Sequence, residues 1–423
     1  MSDQQTIEVY AHWSGMERPA QMGRLYITPG RGREIYTFEY YPSWLGNPNA
    51  QSIDPLLRLF EGKQYTSPDT TNFGVFLDSS PDRWGRLLME RREARDARKT
   101  GRPKRSLHES DYLLGVYDAY RMGGIRFKLQ VDGPFLDNDV NFASPPWTSL
   151  RKLEQASLEI ERVDAEMDSR YDEWLRLLVA PGGSLGGARP KAGVVDSDGH
   201  LWIAKFPSRN DNVDTGAWEY VANQLADRAG IAVAESRMYQ FTTPYHTYMS
   251  KRFDRSPTGE RIHFASAMTL LNRKDGDDAL SGASYLELVE FIIRNGGKTK
   301  RDLQQLWRRI IFSICISNSD DHLRNHGFLL HQGGWILSPA YDMNPNPDAY
   351  GLKLNISDDD NSMDLELAKS VAKHFRIDAI GADKLIEEVK IAVKQWHIVA
   401  RSMNIPKNEI DRMESAFRVG QSA

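Results

Sequence analysis

The sequence predicts an α+β fold in which an N-terminal mixed α/β subdomain precedes two lobes, the second of them mostly helical. Three observations favour this fold: a strand-rich beginning, a glycine-rich loop with a hairpin near the middle, and a helical remainder that runs to Ala423. The 423 residues also exceed what one ordinary hydrophobic core holds. We therefore expect domains at 1–145, 146–247 and 248–423.

Composition and charge narrow the class of protein. Apolar residues make up 40% of the chain and charged residues 26%, and no run of apolar residues is long enough to cross a bilayer. The first residues lack a secretory signal, and the single cysteine, Cys315, has no internal disulfide partner. We expect a cytoplasmic protein without membrane contact. Its net charge of −4 argues against a surface that binds nucleic acid throughout.

The N-terminal part is predicted to contain strands and one charged helix. Tyr36, Phe38 and Tyr40 alternate as on one face of a strand. Trp84 is expected to pack in the core. The arginine-rich segment 90–105 is interpreted as a solvated helix face, with DNA contact as the alternative. Paired prolines in the segment 141–147 indicate a linker.

The middle of the chain predicts a helix, a loop, a hairpin and a second helix. Leu150, Leu153, Ile160 and Val163 share one face of the first helix. A hairpin follows around Asp198-Gly199. The second helix is expected to begin at an N-cap of Asp214 or Thr215 and to stop at Gly230, and the clearest later helix contains Leu303, Leu306, Trp307, Ile310, Ile311 and Ile314. This order of elements is that of a two-lobed protein-kinase-like fold.

A glycine-rich loop, PGGSLGGARPK, lies between the first helix and the hairpin. Glycines allow the backbone to approach an anion closely, although the pattern also suits a flexible connection. Lys191 just beyond it is expected to be solvated. Lys205 closes an apolar strand fourteen residues before Glu219, which is the order of the lysine–glutamate pair that positions nucleotide phosphates in kinases.

The segment 318–342 carries the strongest chemical signal. Asp320 and Asn325 have the D-x-x-x-x-N spacing of a base and a metal-binding amide. Two apolar runs joined by Gly333-Gly334 predict a hairpin that returns Asp342 to their side. Such a set suits phosphoryl transfer. Zinc bound by His322 and His326 is a weaker alternative, because no further ligand cluster follows, and His322 is expected to hydrogen-bond within the loop.

These motifs resemble the HipA family of serine/threonine protein kinases, toxins of type II toxin–antitoxin modules. The similar pieces are SPDRWGR, SLGGARPK, KRFDR, SNSDDHLRNHGF and LSPAYDMNP. The resemblance implies that Asp320 is the catalytic base, that Asn325 and Asp342 bind Mg²⁺, and that Ser184 is autophosphorylated. It implies an ATP site formed by Ser184, Gly186, Gly187, Lys205, Lys251, Phe253, His322, Asn325 and Asp342.

The resemblance also implies partners. An antitoxin with a helix-turn-helix, similar to HipB, would bind the N-terminal subdomain and bring the chain to DNA, and an aminoacyl-tRNA synthetase would be the phosphorylated target. The sequence departs from the family pattern at Lys251, where an acidic residue is common. A small-molecule phosphotransferase, favoured by the acidic segment 358–360, and a non-catalytic component of a repressor complex remain as alternatives.

Overall fold

The computed structural model describes residues 4–30, 32–67, 69–138, 145–179 and 187–421, which contain the predicted mixture of strands and helices. The strands are β1 (Gln5–Ala11), β2 (Ala20–Pro29), β3 (Glu34–Tyr40), β4 (Lys63–Tyr65), β5 (Ile125–Lys128), β6 (Lys191–Val195), β7 (Leu201–Lys205), β8 (Ser236–Gln240), β9 (His246–Lys251), β10 (Phe264–Ser266), β11 (Gly327–His331) and β12 (Gly334–Leu337). The helices are α1 (Pro42–Leu45), α2 (Gly74–Asp78), α3 (Arg83–Thr100), α4 (Glu109–Leu114), α5 (Leu150–Ile160), α6 (Tyr171–Val179), α7 (Thr215–Arg228), α8 (Ala267–Leu270), α9 (Tyr285–Asn295), α10 (Thr299–Cys315), α11 (Leu365–Ser370), α12 (Ala379–Val393), α13 (Trp396–Ser402), α14 (Lys407–Met413) and α15 (Arg418–Gln421).

The N-terminal strands form an antiparallel sheet in the order β4-β3-β2-β1-β5. In β3 the side chains of Tyr36, Phe38 and Tyr40 are buried, whereas Ile35 is 45% exposed. This alternation is the pattern that the sequence predicts, because successive side chains of a strand point to opposite faces. On the buried face, the Phe38 ring contacts Phe73 edge-on and Phe76 at a tilt, and Phe76 in turn contacts Phe127 edge-on.

A buried arginine joins several segments of this subdomain. Arg121 is fully buried, and its two terminal nitrogens donate to the carbonyl oxygens of Ser79, Leu113, Val116 and Leu136 at 2.7–3.2 Å. Its guanidinium also lies over the Phe127 ring. Burial lowers the pKa of Arg121 to about 10. Carbonyl groups at the ends of short helices, which lack partners within the helix, are satisfied in this way.

The arginine-rich segment forms most of α3 and the turn after it. Asp82 caps the helix by accepting from the Gly85 N–H, and Gly101 ends it in a left-handed conformation. Cations of α3 and of the turn after it pair with carboxylates of neighbouring segments or of α3 itself: Arg86–Glu109, Arg98–Glu166, Lys99–Asp172, Arg105–Asp111 and, within the segment, Arg102–Glu93. These cations therefore stabilise the subdomain, and Trp84 is buried as predicted.

The central helices match the prediction except at one residue. Leu150, Leu153 and Ile160 are buried on one face of α5, but Val163 is wholly exposed. The prediction for Val163 is wrong because α5 ends at Ile160 and a turn rotates the chain away from the core. The β6–β7 hairpin forms with Gly199 at φ +84° in its turn. Asp214 caps α7 and Gly230, at φ +73°, follows its end.

The later helices bury a core around α10. The six predicted apolar residues of this helix are all 0% exposed. The indole N–H of Trp307 donates to the Ala368 carbonyl at 3.1 Å, and Trp396 stacks on Phe417 with ring centroids 4.3 Å apart. The Trp307 indole thus buries its ring and still has an acceptor for its N–H, so it loses no hydrogen bond on folding.

The chain divides into two compact units, one of Met1–Arg209 with Asp254–Lys274 and one of Asn210–Phe253 with Asp275–Ala423. The division into domains at 1–145, 146–247 and 248–423 stays a prediction. Within the described ranges, no helix combines the length and the apolar character that a membrane span needs.

Candidate active site

The loop after α10 carries the predicted base and is fixed by its own backbone and by Asn318. The Asn318 N–H donates to the Ser313 carbonyl at 2.8 Å, and the side-chain Oδ1 of Asn318 accepts from the Asn344 N–H at 3.3 Å. The Asp320 carbonyl accepts from the His322 N–H at 2.9 Å and from Asn325 Nδ2 at 2.9 Å. The Asn325 side chain therefore contacts the Asp320 backbone, and the roles of the two side chains stay predictions.

The hairpin that follows is present, with its turn displaced by one residue. His331 pairs with Gly334, so the two turn residues are Gln332 and Gly333 rather than the predicted Gly333 and Gly334. Gly334 has φ +116°, and a Cβ there would lie 2.5 Å from the Asn295 carbonyl oxygen. The glycine at 334 is thus required by close packing against the end of α9 and by its backbone conformation.

Asp342 lies close enough to Asp320 to change its ionisation. The pKa of Asp320 is raised from its ordinary value, chiefly because the surrounding protein displaces water from the carboxylate. The His322 ring opposes this effect, and the negative charge of Asp342 adds to it. Asp342 has φ +58°, a left-handed conformation that is uncommon outside glycine and often found at active sites. The hairpin thus brings Asp342 into the electrostatic neighbourhood of Asp320.

Asn325 presents an atom suited to a metal ion. Its Nδ2 is used by the Asp320 carbonyl, whereas its Oδ1 is buried without a hydrogen-bond partner. Buried amide oxygens are nearly always satisfied, so an orphan of this kind indicates a ligand. Amide and carboxylate oxygens are the donors that Mg²⁺ prefers. The oxygens of Asn325 and Asp342 therefore fit the Mg²⁺ ion that the resemblance implies.

A buried network supports the loop from behind. The Asp321 carboxylate accepts from the Tyr285 hydroxyl at 2.6 Å and from Ser313 Oγ at 3.3 Å, and His326 Nε2 lies 3.0 Å from its other oxygen. The contact with His326 lacks the alignment of a hydrogen bond. Burial alone would raise the pKa of Asp321, but His326 and the Tyr285 hydroxyl lower it below its ordinary value. Asp321 is therefore a buried carboxylate that stays ionised.

The His322 backbone hydrogen-bonds within the loop, since its N–H donates to the Asp320 carbonyl and its carbonyl accepts from the Asn325 N–H, whereas its ring Nδ1 is buried without a hydrogen-bond partner. A role of the His322 ring in holding the loop stays a prediction. Within the described part of the chain, the carboxylate and imidazole group with metal-like spacing is Asp196, Asp198 and His200, where Asp196 accepts from Trp202 and the His200 N–H and so serves the turn.

The residues predicted to contact adenine lie at and after the end of β9. The Lys251 N–H donates to the Glu235 carbonyl at 2.8 Å, and its Nζ lies 3.5 Å from the Glu235 carboxylate. The Phe253 ring packs on Tyr341 with centroids 5.4 Å apart, and the Tyr341 hydroxyl donates to the Arg324 carbonyl at 2.6 Å. Contact of Lys251 or Phe253 with adenine stays a prediction.

The glycine-rich loop is described only from Gly187 onward, so the predictions for Ser184 and Gly186 lie outside the described residues. Gly187 has φ +75°. Lys191 is 4% exposed and its Nζ lies 2.6 Å from Asp82 Oδ2, so the expectation of a solvated lysine is wrong.

Lys205 and Glu219 are both buried, at 8% and 4% exposed. They belong to different compact units, and their predicted pairing stays a prediction. The pKa of the buried Tyr248 hydroxyl is raised well above its ordinary value, chiefly by burial. The negative charges of Glu219 and Asp342 raise it further. Glu219 and Asp342 thus lie near the same tyrosine.

Sequence reasoning missed the roles of Asp82, Tyr285 and Asp321. Each lies far along the chain from its partner or beside a more conspicuous residue, so no spacing rule identifies it. The sequence does contain a signal for Asp82, because an aspartate directly before the first residue of a helix is a typical N-cap.

Comparisons with known proteins agree on one family. A family model described as the HipA-like C-terminal domain matches residues 183–396. A curated relative from Haemophilus influenzae named a putative kinase is 24% identical over 194 residues, which cover 41% of this chain and 56% of that relative. The match thus spans little more than half of the relative's length.

The fold is shared with a solved structure. HipA of Shewanella oneidensis, solved in a complex with HipB and its operator DNA, has a TM-score of 0.63 at 17% identity, over 98% of this chain and 95% of that chain. The predicted α+β fold with a mixed N-terminal subdomain is therefore confirmed.

Proposed function

Since the chain belongs to the HipA-like C-terminal domain family, we propose that it is an ATP- and Mg²⁺-dependent serine/threonine protein kinase of the toxin type. The relative named a putative kinase supports phosphoryl transfer. The observations that support the proposal are the bond from the Asn325 amide to the Asp320 carbonyl, the buried and unsatisfied Asn325 Oδ1, and the negative charge of Asp342 acting on Asp320.

Each member of the set has a task in this reaction. Asp320 accepts the proton of the acceptor hydroxyl in a hydrogen bond and so orients the oxygen. Asn325 Oδ1 and the Asp342 carboxylate would hold Mg²⁺, which offsets the negative charge of the phosphates when bound. We assign Lys205 to the phosphates and His322 to the nucleotide side of the loop. Catalysis of this kind depends mainly on positioning and charge.

The test is phosphate transfer from labelled ATP to a bacterial proteome. The natural chain should label serine or threonine of protein, and Asp320→Asn should reduce labelling by about 100-fold or more without a change in melting temperature. Asp411→Asn, an exposed aspartate on α14, is the matched control and should keep full activity. Label confined to small molecules would favour the small-molecule phosphotransferase, and equal labelling by Asp320→Asn would remove the proposed base.

Autophosphorylation of Ser184 is part of the proposal. A dianion added in the glycine-rich loop would repel the phosphates of a nucleotide and silence the enzyme. Mass spectrometry of the chain incubated with ATP should find phosphate on Ser184 and lose it in Ser184→Ala. Undiminished self-labelling of Ser184→Ala would assign the acceptor to another residue.

We propose two protein partners. The similarity to HipA, whose solved complex contains HipB and operator DNA, supports a helix-turn-helix antitoxin that brings this chain to DNA. The proposed target, an aminoacyl-tRNA synthetase, follows from the resemblance alone. Identification of the labelled proteome band by mass spectrometry tests the target, and labelling of unrelated proteins only would exclude it.

A further inference from the structure

A buried ion pair connects the start of α3 with the start of β6. Lys191 Nζ lies 2.6 Å from Asp82 Oδ2, and both side chains are 3% exposed. The other oxygen of Asp82 accepts from the Gly85 N–H at 2.8 Å. A buried charge pair persists only where its remaining hydrogen-bonding groups are satisfied. Here both oxygens of the carboxylate have partners, which fixes its orientation toward Lys191.

The same ammonium group holds the end of the glycine-rich loop. Lys191 Nζ donates to the Gly187 carbonyl at 3.1 Å. Gly187 takes a left-handed conformation, at φ +75°, that glycine adopts without strain. One lysine therefore ties a carboxylate of the N-terminal subdomain to the backbone of the loop predicted to receive phosphates.

The backbone of Lys191 is held from the same helix start. The Trp84 indole N–H donates to the Lys191 carbonyl at 3.0 Å, and Trp84 is 4% exposed. Asp82 thus binds the side chain of Lys191, and Trp84 binds its backbone carbonyl. A rotation of Lys191 would break contacts at both ends.

Lys191 also faces the lysine assigned to phosphate binding. In the β6–β7 pairing Lys191 is directly opposite Lys205, so the two side chains leave the same face of the hairpin. Like charges at opposed positions repel. The carboxylate of Asp82, 2.6 Å from Lys191 Nζ, offsets that repulsion at Lys191.

We propose that Asp82 and Lys191 are positioning residues that anchor the C-terminal end of the glycine-rich loop for nucleotide binding, and that the N-terminal subdomain controls nucleotide affinity through this anchor. The proposal rests on the proposed function for its nucleotide. The anchor itself is a property of the chain without nucleotide, so the two can be tested separately.

The experiment measures two quantities on Asp82→Asn, Lys191→Gln and the double variant. Amide hydrogen exchange of residues 187–191 without nucleotide should accelerate in each single variant. The dissociation constant for Mg²⁺ with a non-hydrolysable ATP analogue should rise about tenfold in each. The double variant should lose no more than either single variant, because all three break one contact. Turnover at saturating ATP should change less than the affinity.

The matched control is Asp96→Asn on the same helix, which breaks a partly buried pair with Arg95 of the same 2.6 Å length and should change neither quantity. Asp82→Asn keeps a side-chain oxygen that can cap α3, and the double variant leaves no unpaired charge at 82 or 191, so these two variants are expected to fold. Unchanged exchange at 187–191 in Asp82→Asn overturns the anchor. Additive losses in the double variant overturn the shared contact. A natural chain that binds no analogue overturns the proposed function, while exchange still decides the anchor.

Discussion

At the scale of single residues, the loop from Asn318 to His326 contains both polar groups that are satisfied and polar groups that are not. Asp321 has partners on both oxygens, whereas Asn325 Oδ1 and His322 Nδ1 are buried without one. The satisfied group stabilises the loop, and the unsatisfied Asn325 Oδ1 is the atom to which we assign the proposed Mg²⁺. Stability and function are thus assigned to neighbouring residues.

The ionisation of Asp320 sets the acid limb of the pH–rate profile. Its pKa is raised, so proton acceptance should fail at a higher pH than for an ordinary aspartate, whose pKa is about 3.9. His322 lowers the pKa of Asp320, so His322→Gln should shift the acid limb of kcat/KM upward. The exposed His374→Gln should leave it in place. A limb that stays or moves to lower pH in His322→Gln would refute this assignment.

The Tyr285 hydroxyl stabilises the buried charge of Asp321. Removing a hydrogen bond to a charged acceptor costs about 2 kcal/mol, so Tyr285→Phe should lower the free energy of unfolding by that amount in urea denaturation. Tyr350→Phe serves as the control because Tyr350 is 99% exposed and should change the free energy little. An equal effect in the two variants would show that the contact with Asp321 contributes nothing.

At the scale of elements, local patterns predict strands and helices wherever one face is buried. The alternation of β3, the apolar face of α10 and the Asp214 cap of α7 all follow from the sequence. The β11–β12 hairpin follows as well, but its register does not. Two adjacent glycines allow two turns, and the packing of Gly334 against the Asn295 carbonyl decides between them.

The two glycines of this hairpin should respond differently to alanine. Gly334→Ala would place a methyl group 2.5 Å from a carbonyl oxygen at φ +116°, and we expect a loss of about 3 kcal/mol of unfolding free energy. Gly333→Ala meets no atom within 4 Å and should cost less than about 0.5 kcal/mol. Thermal denaturation of both proteins measures the difference. Equal losses would mean that the turn lies where the sequence first predicts it.

The candidate site was predictable to the extent that its residues lie on one short segment. Asp320, Asn325 and Asp342 belong to one loop and one hairpin, so spacing alone brings them together. Lys191 and Asp82 are 109 residues apart, and no local pattern reports a tertiary ion pair. Sequence reasoning therefore treated Lys191 as an ordinary solvated lysine.

At the scale of the whole molecule, many surface cations of the arginine-rich segment form ion pairs with carboxylates of the same chain. The cations of α3 and its following turn bind carboxylates of α4, α6 and the turn before α6. A cation already paired within the protein gains less from a phosphate, since binding DNA would break the existing pair. Together with the net charge of −4, this favours DNA contact through a partner.

The chain alone should bind operator duplex weakly. We expect no retention of the duplex at about 150 mM salt in a gel-shift assay, and a stable complex once the proposed helix-turn-helix antitoxin is added. The doubly substituted Arg95→Ala/Arg98→Ala chain should form the same complex with unchanged salt dependence. Tight, salt-sensitive binding by the isolated chain, lost in that variant, would instead make α3 a DNA-binding surface.

Arg121 has a consequence for how this chain tolerates changes in length. Surface connections usually accept added or deleted residues at small cost. The Arg121 guanidinium, however, donates at once to the carbonyl oxygens of Leu113, Val116 and Leu136 and to that of Ser79, so the spacing of these four oxygens is fixed. A single residue added between Leu113 and Arg121 would move some of these acceptors out of reach and leave a cation in a dry interior. Homologous chains with this arginine should therefore vary in length elsewhere, and keep the interval from 113 to 121 constant.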